Sequence, residues 1–194
     1  GAFFQRPYTY NDANRDGLLS KNEVFLGDTA VFIGDAIPRW NRSVSADLEL
    51  FNFLRISTLF EGRGGNKQGN FGEYFRCVSA GGFTDRGCSA VSNPNATLEE
   101  QARFVAAALG GGAPSVPGTT QTGYIENGGF VKWREFSVAL EVPARYTSYL
   151  QAASIRGASI SFARRNLATW TSYTGLDPDI IEAVTSSFNH SKFK

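Results

Sequence analysis

The sequence holds a single histidine, two cysteines and no methionine. Those counts exclude a metal site built from several histidines and cysteines and a scaffold held by many disulfides. Charge is also scarce. Asp, Glu, Lys and Arg make up 19% of the chain, with 19 basic against 18 acidic residues and a net charge of +1. A near-neutral chain lacks the basic surface on which nucleic-acid binding depends. At 42% hydrophobic it is also not a disordered polymer. There is no continuous apolar run of about 18 residues, so no transmembrane helix is expected. Gly1-Ala2-Phe3-Phe4 lacks the basic start of a signal peptide, and a cleaved one would leave no trace. The missing initiator methionine suggests a processed N-terminus or a piece of a longer chain.

What is abundant points to β-structure. There are 16 Phe, 7 Tyr, 3 Trp and 21 Gly among 194 residues. Aromatic residues favour strands, and glycines punctuate them as turns. The length predicts a single β-rich domain over residues 1–194. Residues 1–10 read as an aromatic strand interrupted by Pro7, and Val24-Phe25-Leu26 and Ala30-Val31-Phe32-Ile33 as short apolar runs. From Arg42 to Glu61 the pattern alternates. Ala46, Leu48, Leu50, Leu54, Ile56 and Phe60 share one face, while Ser45, Asp47, Glu49, Arg55, Ser57 and Glu61 share the other. Period two predicts strands, and Phe51-Asn52-Phe53 predicts a hairpin turn between them. Such one-faced strands suit a membrane barrel or a half-exposed soluble sheet. Further strands are predicted at Phe71–Val78, Tyr124–Val142, Leu150–Arg156 and Ala158–Arg165. One short helix is predicted over 97–109, capped by Thr97 with Glu100 three residues on and stopped by Gly110-Gly111-Gly112. A Gly/Pro/Thr loop covers 110–123, and 166–194 reads as a turn-rich tail. A short helix could start at Leu176-Asp177-Pro178-Asp179. The predicted fold is a twisted antiparallel sheet of hairpins with that one helix.

The most specific local motif runs from Asp12 to Glu23, D-A-N-R-D-G-L-L-S-K-N-E. It matches the EF-hand calcium-loop pattern D-x-[DN]-x-[DN]-G-x5-E at every constrained position. Calcium takes about six to eight hard oxygen ligands. Asp12, Asn14 and Asp16 supply side-chain oxygens, Leu18 a backbone carbonyl, and Ser20 a direct or water-mediated contact. Glu23 closes the site with both carboxylate oxygens, and Gly17 permits the sharp turn. The competing reading is a polar surface turn. Neither flank reads as helical, so the expectation is a lone calcium loop between strands that acts as a structural clamp.

Cys77 and Cys88 lie 88 − 77 = 11 positions apart in a Gly-rich stretch with no histidine nearby. The spacing reads as a local disulfide, with two free thiols as the alternative, and a disulfide would place the chain outside the cytoplasm. His190 has no neighbouring acid or nucleophile and reads as a solvated tail residue. Gly62-Arg63-Gly64-Gly65 is too short for a phosphate loop. Glu99-Glu100 and Arg134-Glu135 read as solvated or paired charges. Asp177 and Asp179 flank Pro178 and read as a turn. Arg164-Arg165 is too small for a nucleic-acid patch. No catalytic residue emerges, and the chain is expected not to be an enzyme.

Four blocks of sequence carry a family resemblance. They are Pro7-Tyr8-Thr9-Tyr10-Asn11-Asp12-Ala13-Asn14-Arg15-Asp16-Gly17 with Gly27-Asp28, and Phe32-Ile33-Gly34-Asp35-Ala36-Ile37-Pro38-Arg39. The third is Tyr124-Ile125-Glu126-Asn127-Gly128-Gly129-Phe130-Val131-Lys132-Trp133-Arg134-Glu135. The fourth and most specific runs Arg165-Asn166-Leu167-Ala168-Thr169-Trp170-Thr171-Ser172-Tyr173-Thr174-Gly175-Leu176-Asp177-Pro178-Asp179. In this order they resemble the C-terminal barrel region of SusC/RagA-like TonB-dependent outer-membrane receptors. The resemblance implies β-hairpins from the end of a large barrel, with the calcium loop and the 77–88 region in connecting loops. Full receptors of that family import glycans or peptides with a surface lipoprotein and TonB energy.

The family's plug and TonB-contacting segment are not within these 194 residues, and no final strand with a terminal aromatic is evident. A few strands cannot close a large barrel, and an open edge in lipid leaves backbone groups unsatisfied. Two functional expectations follow. One is a non-enzymatic, calcium-stabilised structural subunit, extracytoplasmic in the periplasm or at the outer membrane. It would dock on protein subunits of a larger membrane-associated complex; a photosynthetic reaction centre is one such host, though no residue designates it. The other is a C-terminal fragment of a SusC/RagA-like nutrient importer. Neither involves nucleic acid, and no small-molecule substrate is identified.

Overall fold

The computed structural model describes residues 1–78, 88–112, 118–142 and 158–179. They are mainly β, with every strand pair antiparallel. The chain divides into two compact units. One comprises 39–64 and 130–171; the other comprises 1–38, 65–129 and 172–194.

The first unit is a four-stranded sheet. Its strands are β5 (Trp40–Leu50), β6 (Leu54–Gly64), β9 (Phe130–Glu141) and β10 (Ser159–Thr171), in the order β10-β9-β6-β5. The predicted hairpin turn joins β5 to β6. Phe51 and Asn52 both have positive φ, 55° and 59°, and Phe53 N–H donates to Leu50 O at 3.2 Å. Two such residues in succession form the turn whose twist matches the flanking strands. Register then decides which side chains share a face. The pairs Val44↔Phe60, Leu48↔Ile56 and Leu50↔Leu54 continue across to Val138, Leu140, Ile160 and Phe162. The result is one apolar face across all four strands, on which Val44 is 66% and Ile160 69% exposed. Arg42 and Arg164 are the two charges in these rows. Trp40 and Trp170 lie toward one end of the face. A Cβ on Gly64 would meet the Trp40 indole at 2.5 Å, so glycine there is what lets the ring lie on the backbone.

The opposite face is polar. Glu61 accepts from Arg134 Nε at 2.8 Å and from Arg63 at 3.2 Å, and Glu135 pairs with Arg165 at 3.3 Å. A bulge makes the first of these possible. The register slips between Leu59 and Phe60, which pair with Glu135 and Trp133 and leave Arg134 as the extra residue. Trp133 stays on the apolar face, stacked on Phe60 at 5.4 Å and donating its indole N–H to Thr58 at 2.8 Å.

The second unit joins short strand pairs to three helices. β1 (Ala2–Gln5) pairs with β4 (Val31–Asp35), β2 (Tyr8–Tyr10) with β3 (Val24–Leu26), and β7 (Lys67–Gly69) with β8 (Ile125–Asn127). The helices are α1 (Phe71–Val78), α2 (Ser89–Ser92) and α3 (Leu98–Ala108). One core packs Leu19, Val24 and Leu26 against Ala102, Val105 and Ala106 of α3. A second gathers Cys77, Cys88, Ala107 and Tyr124. Small residues at i, i+3 and i+4 on α3 let the helix lie close to the strands.

Three expectations are corrected. Phe71–Val78 is helical, not a strand, so the described residues hold three α-helices rather than one. Asn70 caps α1: its side chain accepts Glu73 N–H at 3.1 Å and its carbonyl accepts Tyr74 N–H at 3.0 Å. A capping asparagine is a local helix signal, and it outweighs the aromatic bias toward strand. Tyr124–Val142 is not one strand, because Gly128-Gly129 divides it into β8 and β9 with different partners. The tail at 166–194 is not turn-rich from its start, since Asn166–Thr171 belongs to β10. The helix at 97–109 stands as expected, with both halves of the Thr97–Glu100 capping box formed. The expected strand at 150–156, the helix after Asp179 and His190 lie outside the described residues.

Candidate metal centre

The Asp12–Glu23 loop connects β2 to β3, with no α-helix on either flank. That is the lone loop between strands that the sequence predicts. It turns tightly because Arg15 and Gly17 both take positive φ, 58° and 78°. Gly17 occupies the position where a side chain would be strained. The acidic side chains fold inward onto the loop's own backbone. Asp12 Oδ2 accepts from Gly17 N–H at 3.1 Å, and Asp16 Oδ1 from Leu18 N–H at 2.8 Å. Asn14 Oδ1 accepts from Asp16 N–H at 3.1 Å. A single 3-10 turn at Lys21–Glu23 brings Glu23 back across the loop. There its carboxylate accepts from Ser20 N–H at 2.9 Å, Ser20 O–H at 2.7 Å and Ala13 N–H at 3.3 Å.

The donor set fits calcium in chemistry: three carboxylates, an amide oxygen and a hydroxyl, all hard oxygen ligands. Asp12 Oδ1 adds a specific observation. It is buried and has no hydrogen-bond partner. A buried, unpartnered carboxylate oxygen is costly, and a cation is the group that would satisfy it.

Neighbouring segments fix the loop. Gly112 N–H donates to Val24 O at 2.9 Å, and a Cβ on Gly112 would stand 2.4 Å from Asn22 Cα, so only glycine passes there. Gln101 of α3 holds the loop from the other side. Its carbonyl accepts Leu19 N–H at 2.8 Å, and its amide donates to Gly17 O at 2.9 Å and Ala96 O at 3.0 Å. Gln101 carries no signal in the sequence, where it is an ordinary helical residue.

The hydrogen bonds from Ser20 are the main reason the Glu23 carboxyl titrates below its usual 4.5, with backbone N–H groups of Ala13 and Asn14 adding to them. A depressed folded pKa stabilises the fold fully above the unfolded value and is lost as pH falls through the folded value. Thermal melts of wild type and Glu23→Gln, run from about pH 6 to about pH 3, are therefore expected to converge in the acid range. A gap that stays constant across the range would contradict this role.

Cys77 and Cys88 form a disulfide, with Cα atoms 5.0 Å apart. Both are buried, and the bond ties α1 to the start of α2. Together with Glu73 they are the one group of three acidic, cysteine or histidine side chains among the described residues whose ligand atoms lie within 4.8 Å. The sulfurs are spent on each other, so this group is not a metal site. Closing a loop of this length is worth about 3 kcal/mol in the chain-entropy account. Replacing both cysteines by alanine is expected to destabilise the chain by about that much in urea unfolding. An unchanged midpoint would show that the bond constrains nothing.

The same unit contains a polar cleft of about 470 Å³, lined among others by Tyr8, Glu99, Arg103, Glu126 and Thr174. Much of its polar lining is engaged. Glu126 accepts from Thr174 N–H at 2.7 Å, Thr174 O–H at 2.8 Å and Asn70 at 3.1 Å. Arg103 stands 5.2 Å from the Tyr124 ring centre, and burial pushes the Tyr124 hydroxyl up to about 12. Several other sequence candidates have local partners. Glu100 completes the helix cap, Arg134 and Glu135 are paired, and Asp177 accepts Asp179 N–H at 3.0 Å in a turn.

No protein-family model matches the sequence, and no curated protein matches it. Solved structures do. The chain superposes on the RagAB peptide transporter with a TM-score of 0.62 at 18% identity. It also superposes on the RagAB peptide importer in its closed-closed state, with a TM-score of 0.60 at 17% identity, and in its open-open state at 0.57 and 17%. Each match covers 92% of this chain and 20% of the other. The chain thus has the fold of about a fifth of that chain, at an identity that speaks for fold alone.

Proposed function

We propose that the chain is a non-enzymatic segment of a RagA-like outer-membrane importer, in which calcium pins the Asp12–Glu23 loop. The four-stranded sheet carries this reading. Its strands have 11, 11, 12 and 13 residues, enough for the roughly 9–11 that a tilted strand needs to cross a bilayer. One face is apolar with tryptophans toward an end, and the other bears the Glu61–Arg134–Arg63 network. Apolar-out, polar-in alternation with interfacial aromatics is the pattern of a barrel wall. Arg164 faces lipid in this arrangement and reaches water by extending its stem along the sheet. Among the described residues β5 and β10 each have one neighbour, and in lipid their open edges must pair with further strands.

The resemblance in four sequence blocks and the match over 92% of the chain support the same reading. The accessory-subunit arrangement, docked on a foreign complex such as a reaction centre, has no specific observation in its favour. The deciding experiment is to sequence the encoding reading frame and fractionate its product. Several hundred residues upstream and recovery in the outer membrane are expected. A short frame yielding a protein soluble without detergent would overturn the proposal.

A further inference from the structure

We propose that Gln101 is a positioning residue of the calcium loop, aiming the Leu18 carbonyl at the metal from outside the loop. The inference rests on the calcium reading and deepens it. Leu18 stands at the position whose ligand is its backbone carbonyl. A carbonyl has no side chain to hold it; its direction is set by the peptide plane. In a planar trans peptide the carbonyl and the N–H of the next residue point to opposite sides. Leu19 N–H is held by Gln101 Oε1 at 2.8 Å. Anchoring that N–H toward α3 fixes the Leu18 carbonyl on the side away from α3.

The preceding peptide is held as well. Gly17 O accepts from Gln101 Nε2 at 2.9 Å, and Leu18 N–H donates to Asp16 Oδ1 at 2.8 Å. One buried side-chain amide, 8% exposed, thus sets both planes that flank Leu18. Its third bond, to Ala96 O at 3.0 Å, holds the amide in register with the start of α3. The loop has no α-helix on either flank, and among the described residues no backbone group accepts this N–H. A glutamine on a packed helix supplies it instead. Among the described residues, the other backbone hydrogen bonds of the loop come from within it or from the adjoining Asn11, whose N–H donates to Glu23 O at 2.9 Å, which leaves Gln101 as the long-range residue acting on the ligand-bearing segment.

Calorimetric titration of the full chain with calcium chloride tests this. Gln101→Met and Gln101→Ala remove the acceptor for Leu19 N–H, and both are expected to bind calcium at least about tenfold more weakly than wild type. Alanine is the strongest helix former, so that variant keeps α3 if methionine disturbs it. Thr97→Ala weakens α3 at its cap without touching the loop, and is expected to bind as wild type does. If Gln101→Ala binds as tightly as wild type, the proposal fails. It fails equally if Thr97→Ala loses as much affinity, because general helix stability would then account for the effect. Absence of binding by wild type is a different result, and would remove the calcium reading itself.

Discussion

Chelating calcium is expected to lower the melting temperature of the chain by about 10 °C. A site held near a thousandfold above its dissociation constant contributes about 4 kcal/mol, and each kcal/mol moves the midpoint of a chain this size by about 2–4 °C. The effect is large because of what stays behind. Asp12, Asp16 and Glu23 are three carboxylates on one short loop, and Asp12 Oδ1 is already buried without a donor. Without the cation their mutual repulsion and that unmet oxygen oppose the fold. The loss should spread beyond the loop, because Leu19, Val24 and Leu26 on its far side form a core with α3. An Asp12→Ala, Asp16→Ala double variant should melt at the same temperature with and without chelator. Identical melting of the wild type in both conditions would show that the loop holds no calcium.

The second large effect belongs to the sheet. Arginine placed on the lipid-facing side of a barrel strand costs about 2–4 kcal/mol near the bilayer midplane. Val44 and Ile160 are exposed on the apolar face, on the two outer strands of the sheet. Val44 lies mid-strand, whereas Ile160 lies in the row beside the β5–β6 turn, where the cost falls to about 0–1 kcal/mol. Separate sites add, so Val44→Arg with Ile160→Arg should cost about 2–5 kcal/mol when the full-length protein is unfolded from lipid vesicles. Ser45 and Ser161 are the next residues along the same strands and lie on the polar face. Arginine at those two positions should cost about 1 kcal/mol or less, as at ordinary exposed sites. Equal losses for the two pairs would mean that neither face meets lipid. A loss only at the serines would reverse the orientation.

The two predictions draw on features with very different visibility in the sequence. The loop motif is local: five constrained residues within twelve positions write it out. The β5–β6 hairpin is equally local, since alternation and the Phe51–Asn52 turn are consecutive. The cap of α3 was legible for the same reason. The cap of α1 was also written, in Asn70 and Glu73, but an aromatic-rich stretch reads as strand until the capping asparagine is weighed above it.

What the sequence alone determined, then, were features whose physics spans about a dozen residues: the loop motif between two strands, the alternating faces, one helix and the spacing that permits a disulfide. Tertiary structure decided the rest. It brought β9 beside β6 and β10 beside β9, so that two short alternating runs became a face across four strands. The bulge at Arg134 then put a guanidinium on Glu61 while Trp133 stayed with the apolar side. It also laid Gln101 against Leu19, 82 positions away. A glutamine's meaning is set by what it packs on, and no pattern within its own helix carries that information. Burial and register are collective, and they exist only once distant segments have closed on one another.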